Sequence, residues 1–580
     1  MNINFCVAAI SERGRQLLPS IWESALDLGG EAFDTSNATI RRTDRRAVMN
    51  ACSIEGTWSV PTWLEDQHGV ISLSQPPISY KSETPLDKWH SWAIDTLRDD
   101  QRRKEVQPGY FGVSLWSDDG MEVWNDVSGF ARCYVVENDD FVAAGNHIGM
   151  VSLFSSESLE VDTYGADVLA QVGFWPEDRS PVSTVRRLGA GEVVAIGHRD
   201  ETSHRQYVKY DELIGYRDAE PDVLGAAESM RTLTSNAGAI AQLPPTVHLS
   251  GGQDSRVTAA AWIAGGRPAT IHTIGTLQGE VDIATQLLSL VAEDRSLEDR
   301  GLVHRVAKPN PRRLAEFSIE DRLAHGMLMW DGDFAPGKLR APIRRPAAAS
   351  RLAIGGANGE VMHGMHYPTS AVLEEVRKLP HPLDRLPKAF PEKFQNKDTR
   401  AAAIAYFERQ KHFVNGLGHE DATALNIFHT TSKSRRWTNG QLSSTSFTLL
   451  ANPTFVRAAI DLTPEQRLDR VMQKSLSRAL TPQWEQVPYY KASHAETTKE
   501  MKPRGIRTWE TSPGSMERLL HERTDWQRWF DRTKMMSLER AVHNGQGNSA
   551  HESTLSLAYL LDAIPDHVTA LERRRRALWR

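Results

Sequence analysis

"TVHLSGGQDSRVTAAAWIAGG", residues 246–266, is the stretch that decides the fold of this chain. It begins as a short apolar strand and continues as an alanine-rich helix that two glycines close. Between them lies a turn, "SGGQDS", at residues 250–255, here called the SGG loop. A helix that starts near Asp254 leaves unpaired backbone N–H groups at its N-terminus, and these suit an anion. The turn is therefore either a serine N-cap with a glycine turn or a cradle for nucleotide phosphates.

The side chains of the SGG loop favour the phosphate interpretation. Gly251 and Gly252 have no Cβ atoms, so the backbone can approach a phosphate closely. Ser250 and Ser255 can donate hydroxyl hydrogen bonds to phosphate oxygens. Asp254 would repel a phosphate unless it holds Mg²⁺ that bridges to the nucleotide. We therefore predict a phosphate-binding loop with Asp254 as a magnesium ligand.

Composition limits the class of protein. The chain has 580 residues, 40% of them hydrophobic and 24% charged, which is typical of a soluble globular protein with two or three domains. The net charge of −6 does not favour a nucleic-acid partner. Three cysteines without paired spacing fit a reducing cytoplasm. Since no apolar run approaches the ~18 residues of a membrane span and the N-terminus lacks a leader pattern, we predict a cytoplasmic protein without membrane contact.

The pattern of apolar and polar residues changes near residue 210. Residues 1–210 alternate apolar and polar positions between turns, which predicts an antiparallel sandwich with a hairpin at 137–140 and a tight turn at 188–192. The polar stretch 197–207 is interpreted as a linker. Residues 220–580 alternate helical and short apolar segments, which predicts a parallel α/β sheet, mostly helical after about residue 400.

Several segments together resemble one protein family. "LSGGQDSR" closely resembles the SGGxDS pyrophosphatase-type loop of asparagine synthetases and their relatives. The first domain's "NDVSGFARCYVV" and "VRRLGAGEVV" resemble the amidotransferase-type sandwich that precedes the synthetase domain. Further matches follow in the family's order: "IHTIGT" at 271–276, "EVDIA" at 280–284, "IGGANGEVMHG" at 354–364, "NPTFVRAAIDLTPEQRL" at 452–468 and "PYYKAS" at 488–493.

This resemblance implies a fold and a set of site residues. The fold is α/β, with a degenerate Ntn-type, glutaminase-like αββα sandwich at 1–210. An adenine-nucleotide α-hydrolase-like (PP-loop) parallel domain with a helical extension follows at 220–580. The resemblance implies ATP and Mg²⁺ as cofactors, with Mg²⁺ on Asp254 and catalytic roles for Lys491 and Glu360. The implied ATP contacts are Leu249, Ser250, Gly251, Gly252, Asp254, Ser255, Thr273, Ile274 and Gly355.

The chain also departs from the family. Glutamine-dependent members use a cysteine directly after the initiator methionine, whose own α-amine is the base. Here Cys6 lies further in, so we expect no glutamine hydrolysis and interpret Cys6 as a buried strand residue. The family's Gly-Glu-Gly-Ala-Asp-Glu corresponds to residues 355–360, where Gly356 replaces the first Glu and Gly359 replaces the Asp, while Glu360 remains. Glu360 is either a replacement ligand or a surface carboxylate.

The sequence leaves the roles of several other charged residues open. Lys491 either stabilises negative charge that develops during adenylation or is a solvated lysine. Arg435 and Arg436 either face phosphates or an anionic substrate, or are solvated arginines that flank a buried Trp437. "GDFAPGKL" at 332–339 mimics a P-loop but lacks its Ser/Thr, so it is interpreted as a surface loop. Beside it, Asp331 and Asp333 are possible pocket carboxylates, and the arginines 573–576 are a solvated helix end or a contact for an acidic partner.

The resemblance implies an activity. A carboxylic acid attacks ATP to give an acyl-adenylate and pyrophosphate, and an amine then forms the amide and releases AMP. A family member without glutaminase resembles lasso peptide cyclases and β-lactam synthetases, so the leading expectation is macrolactam closure of a precursor peptide, with or without a partner protein that delivers it. The alternatives are asparagine formation from ammonia or a partner-supplied amine, and a non-catalytic nucleotide-binding scaffold.

Overall fold

A computed structural model describes residues 2–52, 57–116, 120–215, 220–308, 316–340, 343, 351–386, 394–437, 446–490 and 507–580. Residues 2–206 contribute two antiparallel sheets, with strand orders β10-β8-β9-β1-β3-β2 and β12-β11-β7-β6-β5-β4. Their strands are β1 (Asn2–Ala9), β2 (Thr39–Arg42), β3 (Arg46–Cys52), β4 (Trp63–Asp66), β5 (Gly69–Leu73), β6 (Phe111–Trp116), β7 (Gly120–Asn125), β8 (Tyr134–Glu137), β9 (Phe141–Gly145), β10 (Arg186–Arg187), β11 (Glu192–Ile196) and β12 (Thr202–Gln206).

These two sheets pack face to face. Cys6 of β1 lies in one buried cluster with Phe111 and Val123 of the second sheet. Because side chains alternate along a strand, Phe5 and Val7 face the opposite side of the first sheet and belong to a separate cluster. The antiparallel sandwich predicted from the alternating pattern is therefore present.

Helices from both ends of the chain cover the outer face of the first sheet. Trp22, on the helix Glu12–Ala32, shares a buried cluster with Phe5. Leu561, on the helix Ser549–Leu578, lies in the same cluster. Residues that are far apart in sequence thus form a single core, which ties the C-terminal helix to the N-terminal sandwich.

The second half of the chain is built on a parallel sheet with the strand order β15-β14-β13-β16-β17. All its neighbouring strands pair in parallel. The chain builds outward from β13 to β15 and then crosses back to β16, so the direction reverses between β13 and β16. The strands are β13 (Thr246–His248), β14 (Ala269–Ile274), β15 (Leu302–Ala307), β16 (Ala353–Ile354) and β17 (Ser446–Phe447).

Helices occur in both halves of the described chain. The α-helices are α1 (Glu12–Ala32), α2 (Trp89–Leu97), α3 (Asp100–Arg103), α4 (Ile148–Ser152), α5 (Thr163–Val172), α6 (Tyr210–Ile214), α7 (Val223–Ile240), α8 (Asp254–Ala264), α9 (Gln278–Ala292), α10 (Ile319–Trp330), α11 (Ser370–Arg377), α12 (Lys397–Gly416), α13 (Thr423–Phe428), α14 (Arg435–Trp437), α15 (Pro453–Ile460), α16 (Pro464–Leu468), α17 (Val471–Leu480), α18 (Thr508–Thr511), α19 (Ser515–Glu517), α20 (Arg532–His543) and α21 (Ser549–Leu578). Two π-helical segments are His429–Ser434 and Arg518–Glu522. Short 3₁₀ turns are Leu86–Lys88, Pro336–Arg340, Gly359–Met362, Pro382–Asp384, Leu449–Ala451, Pro482–Trp484 and Asp525–Arg528.

Two interpretations of the sequence were wrong. The predicted linker at 197–207 contains the strand β12, which pairs with β11 although its side chains are exposed. β12 was not predicted because it is an edge strand with no buried face, so its sequence is polar throughout. The P-loop mimic at 332–339 is not a surface loop, since Phe334 and Leu339 are buried and Pro336–Arg340 forms a 3₁₀ turn.

The hairpin at 137–140 and the turn at 188–192 lie where the sequence predicted them, between β8 and β9 and between β10 and β11. Within the described ranges, no helix combines the length and the apolar character needed to cross a membrane. The division at 1–210 and 220–580 stays a prediction.

Candidate active site

The SGG loop lies at the carboxyl end of β13, where the strand order reverses. In open parallel sheets, ligands bind beyond the carboxyl ends of the strands at this switch point. Ser250 and Ser255 hold the loop closed: their hydroxyl oxygens are 2.9 Å apart, and the backbone N–H of Ser250 donates to Ser255 Oγ at 3.2 Å. The N–H of Gly252 donates to Ser250 Oγ at 3.1 Å. Both serine hydroxyls thus shape the loop as well as facing a ligand.

The chain that approaches residue 491 is fixed on the SGG loop. The backbone N–H of Tyr490 donates to the carbonyl of Gly251 at 2.9 Å, and a Cβ at Gly251 would lie 2.4 Å from Tyr490 Cβ. Arg256 on α8 donates to the carbonyls of Val487 and Pro488, each at 2.7 Å, and stacks over Tyr489. Arg256 was not singled out from the sequence, although it belongs to the same motif. The predicted catalytic Lys491 lies outside the described residues.

Two glycines of the acidic loop, defined as residues 354–364, press against Asp254. A Cβ at Gly356 would lie 2.6 Å from Asp254 Cβ and 2.8 Å from the backbone nitrogen of Ser255. A Cβ at Gly359 would lie 2.3 Å from Asp254 Cγ. No larger residue fits at either position without displacement of Asp254. The absence of side chains at positions 356 and 359 is therefore coupled to the position that Asp254 adopts here.

The carboxylates of Asp254 and Glu360 are half-buried and incompletely paired. Asp254 Oδ1 and Glu360 Oε2 have no hydrogen-bond partner among the described residues. Asp254 Oδ2 lies 3.5 Å from His363 Nε2. Burial, together with the negative charge of Asp254, raises the pKa of Glu360 above its usual range. Since unpaired buried oxygens are costly, these two point to a missing ligand such as a cation or water.

Residues from a distant helix complete the site. Asn426 on α13 donates to the carbonyls of Val361 and His363, at 3.3 and 3.2 Å, which fixes α13 against the acidic loop. The π-helical segment His429–Ser434 follows directly, and such wide turns frequently occur at functional sites. His429 and Lys433 on this segment interact electrostatically, and Lys433 also interacts with Glu360.

We call the set Asp254, Glu360, His363, His366, His429 and Lys433 the polar chamber. Both ring nitrogens of His429 and Nε2 of His366 are buried without a hydrogen-bond partner in the described structure. Burial and the positive charge of Lys433 lower the pKa of His429 to about 3 and that of His366 to about 4, so both rings are neutral at physiological pH. Burial lowers the pKa of Lys433, while Glu360 opposes that shift. No sequence signal singled out the histidines or Lys433.

The other predicted ATP contacts border the same edge of the sheet. Leu249 is buried and its N–H donates to the carbonyl of His272 at 3.0 Å. At the end of β14, Thr273 is buried with its hydroxyl 3.0 Å from His304 Nε2, whereas Ile274 is exposed. Gly355 is open, with His248 as its nearest neighbour. The structure therefore places these residues around the SGG loop, with Ile274 on the solvent side.

Arg435 and Arg436 have a structural role. Arg436 donates to Asp333 Oδ2 at 2.9 Å, and Arg435 donates to Asp178 Oδ1 at 3.0 Å. Burial raises the pKa of Asp333, but the guanidinium groups of Arg436 and Arg132 outweigh it and hold the pKa below its usual range. Arg435 thus joins α14 to the N-terminal half, and Arg436 joins α14 both to the segment that follows α10 and to the carbonyls of Glu177 and Arg179.

A magnesium ion would not be enclosed by protein ligands alone. Across the part of the chain that the structure describes, no group of three or more His, Cys, Asp or Glu side chains is arranged to hold a metal. Mg²⁺ characteristically binds through one or two carboxylates together with substrate phosphates, and Asp254 and Glu360 supply free oxygens of that kind beside the SGG loop. The donor set therefore fits a magnesium–nucleotide complex.

Comparisons with known proteins add little. No family model and no curated protein matches the chain. Among solved structures, it is similar to one described as the allosteric regulatory enzyme of purine biosynthesis, at 11% identity, covering 53% of this chain and 81% of that one, with a TM-score of 0.23. It is also similar to glutamine phosphoribosylpyrophosphate amidotransferase from B. subtilis complexed with ADP and GMP, at 10% identity, 65% and 79% coverage and a TM-score of 0.24. These similarities are too slight to indicate an activity.

Proposed function

We propose that this chain is an ATP-dependent, AMP-forming carbon–nitrogen ligase. One observation carries the proposal: two buried, partnerless carboxylate oxygens, on Asp254 and Glu360, lie beside the SGG loop at the switch point of a parallel sheet. The loop supplies hydroxyl and backbone donors for phosphates, and the two carboxylates supply ligands for Mg²⁺. When bound, Mg²⁺ neutralises phosphate charge.

The reaction has two steps. A carboxylate oxygen of the substrate attacks the α-phosphorus of ATP, the bond to the bridging β-phosphate oxygen breaks, and pyrophosphate leaves. A neutral amine then attacks the acyl carbon, the C–O bond to AMP breaks, and the nitrogen loses a proton to solvent. Ring closure within a peptide, which the resemblance implies, uses the same two steps with both groups in one molecule. Positioning of the reactants supplies much of the rate.

The chain's own residues divide these tasks. The SGG loop holds the phosphates, and Arg256 holds the 487–490 segment against that loop. His363, 3.5 Å from Asp254, orients the Asp254 carboxylate. The neutral rings of His366 and His429 offer hydrogen-bonding atoms on the far side of the polar chamber. His429 and one oxygen each of Asp254 and Glu360 are buried, which limits the access of water to an acyl-adenylate on that side of the chamber.

The test compares the wild type with Asp254→Asn, an isosteric change that removes the charge. Asp282→Asn is the matched control, because Asp282 is an exposed aspartate on α9. We expect Asp282→Asn to bind Mg-ATP as the wild type does and Asp254→Asn to bind it at least ~10-fold more weakly, since hydrogen bonds and ion pairs to buried charges contribute about 1.5–3 kcal/mol. Equal Mg-ATP affinity of the three proteins, or formation of ADP in place of AMP, would contradict the proposal.

A further inference from the structure

A small cavity adjoins the polar chamber. It has a volume of about 70 Å³. Its lining consists of Val172, Gly173, Phe174, Trp175, Phe334 and Ala335 together with three charged residues, Asp333, Lys433 and Arg436. Its wall is held rigidly: Trp175 is buried and its indole N–H donates to the carbonyl of Gly332 at 3.1 Å. Protein interiors are close-packed, so an apolar cavity of this size beside a polar site calls for an occupant.

Lys433 connects the cavity to the polar chamber. Its side chain lines the cavity and also interacts electrostatically with Glu360 on the chamber side. His429, one turn earlier on the same π-helical segment, is 2% exposed, and neither of its ring nitrogens has a hydrogen-bond partner in the described structure. A ligand that reaches both spaces therefore meets an ammonium group and a buried imidazole at one end and aromatic walls at the other.

Charge decides which reactant fits. The cation of Lys433 repels a protonated amine and attracts a carboxylate, and a neutral imidazole can donate its N–H to a carboxylate oxygen. Asp333 and Arg436, which also line the cavity, pair with each other at 2.9 Å, so a second charged group of the ligand would compete with that pair or enter beside the aromatic walls without a partner, which is unfavourable. Free aspartate, whose ammonium and second carboxylate lie close to the reacting carboxylate, does not match these surroundings.

We infer that the acyl donor binds with its carboxylate at Lys433 and His429 and with a neighbouring aliphatic group in the cavity between Trp175, Phe334 and Ala335. The substrate class is thus a carboxylic acid flanked by an aliphatic side chain, such as an Asp or Glu beside a leucine in a peptide. An aromatic ring is too large, since cavities that take benzene measure about 150 Å³. This inference rests on the proposed adenylation.

The experiment is ATP–pyrophosphate exchange with acetylated, amidated tripeptides that contain one glutamate flanked either by glycine or by leucine, with free aspartate as a further substrate. The blocked ends leave a single carboxylate and no amine, so exchange reports adenylation alone. We expect the leucine-flanked peptide to show a KM at least ~10-fold lower than the glycine-flanked one, because an aliphatic group in an apolar pocket contributes a factor of about 10 or more.

Variants separate the two contacts. Lys433→Met should raise the KM of both peptides by about 10-fold or more, with a smaller change in kcat and in the KM for ATP. Lys474→Met, at an exposed lysine on α17, is the matched control and should change nothing. Ala335→Phe fills the cavity and should bring the KM ratio of the two peptides to about 1. Ala335→Leu is the smaller filler, for use if the larger variant does not fold.

The outcomes are distinct. Equal KM values for the two peptides in the wild type, an unchanged leucine preference in both folded Ala335 variants, or an unchanged peptide KM in Lys433→Met would overturn this inference. Exchange with free aspartate alone would also overturn it while leaving the proposed ligase activity intact. Absence of exchange with every substrate, in a protein that binds Mg-ATP, would contradict the proposed function and this inference together.

Discussion

The contact between Gly356 and Asp254 allows a sharp test of the site. A Cβ added by Gly356→Ala would lie 2.6 Å from Asp254 Cβ and 2.8 Å from two backbone atoms, Asp254 C and Ser255 N. Ordinary contact begins at 3.4 Å, so the N-terminus of α8 must move by about 0.8 Å. Backbone cannot rotate away as a side chain does, and the whole SGG loop is displaced with it.

The expected cost follows from this displacement. Overpacking of a close-packed site costs about 1–3 kcal/mol of unfolding free energy. A misplacement of nearly 1 Å can also lower the rate of a reaction that depends on positioned groups by up to about 100-fold. We therefore expect Gly356→Ala to lower the free energy of unfolding by about 1–3 kcal/mol and to weaken Mg-ATP binding at least ~10-fold. At Gly359, the nearest atom is Asp254 Cγ, which belongs to a side chain, so Gly359→Ala should weaken Mg-ATP binding with a smaller loss of stability.

The assays are urea unfolding and isothermal titration calorimetry with Mg-ATP. Gly416→Ala is the matched control, because Gly416 ends α12 and has no atom near an added Cβ. It should leave Mg-ATP binding unchanged and keep or slightly raise stability, since alanine is the better helix former. Wild-type stability and wild-type Mg-ATP affinity in Gly356→Ala would refute the packing argument for the acidic loop.

Three further predictions concern single residues. Because burial and the charge of Asp254 raise the pKa of Glu360, its carboxylate is protonated at a higher pH than that of an ordinary glutamate. Mg-ATP affinity should therefore begin to fall while the pH is still above the ordinary glutamate value of about 4.3, and Glu360→Gln should flatten this dependence in calorimetry. The same raised pKa makes the ionised side chain unfavourable to folding, so Glu360→Gln should raise the unfolding free energy at pH about 8, a gain that vanishes below the unfolded pKa of about 4.3. Arg256→Met leaves the carbonyls of Val487 and Pro488 without their donor, so it should lower the free energy of unfolding in urea by about 2–4 kcal/mol. Proteolytic cleavage near Tyr490 should also become faster. An unchanged cleavage pattern would show that Arg256 does not hold this segment. Burial raises the pKa of Cys6 to about 12, so iodoacetamide at pH about 8 should leave Cys6 unlabelled in the native protein by mass spectrometry and label it after unfolding; rapid native labelling would show an accessible thiolate.

Much of the architecture could be predicted because local patterns in the sequence specify the strands and helices. The apolar run before "SGG" and the alanine-rich run after it specify β13 and α8, and both form at those positions. β12 was missed because an exposed edge strand has no apolar face. β15 was also missed, since the apolar residues of its sequence LVHRVA neither alternate with polar ones nor form one continuous run, and only Leu302 is buried. A periodic pattern of apolar residues indicates a buried face, so a strand without a buried face shows no such pattern.

The site could be predicted only in part. The SGG loop and Asp254 carry a sequence motif, whereas Lys433 and His429 come to Glu360 through the hydrogen bonds that fix α13 to the acidic loop. Nothing in the spacing of these residues signals their proximity, because a π-helical turn changes which side chains share a face. The sequence offered two alternatives for Arg435 and Arg436, a phosphate contact or a solvated position beside Trp437. The structure shows neither, because both arginines are buried and paired with Asp178 and Asp333, partners that are distant in sequence.

The central claim, that a carboxylate is activated as an acyl-adenylate, is tested most directly with isotope-labelled substrate. The protein would be incubated with Mg-ATP, an amine and the leucine-flanked glutamate tripeptide whose side-chain carboxylate carries ¹⁸O, and the products would be identified by mass spectrometry. The account predicts AMP that has gained one ¹⁸O atom from the carboxylate, together with unlabelled pyrophosphate. Unlabelled AMP, or ADP with ¹⁸O in inorganic phosphate, would contradict it.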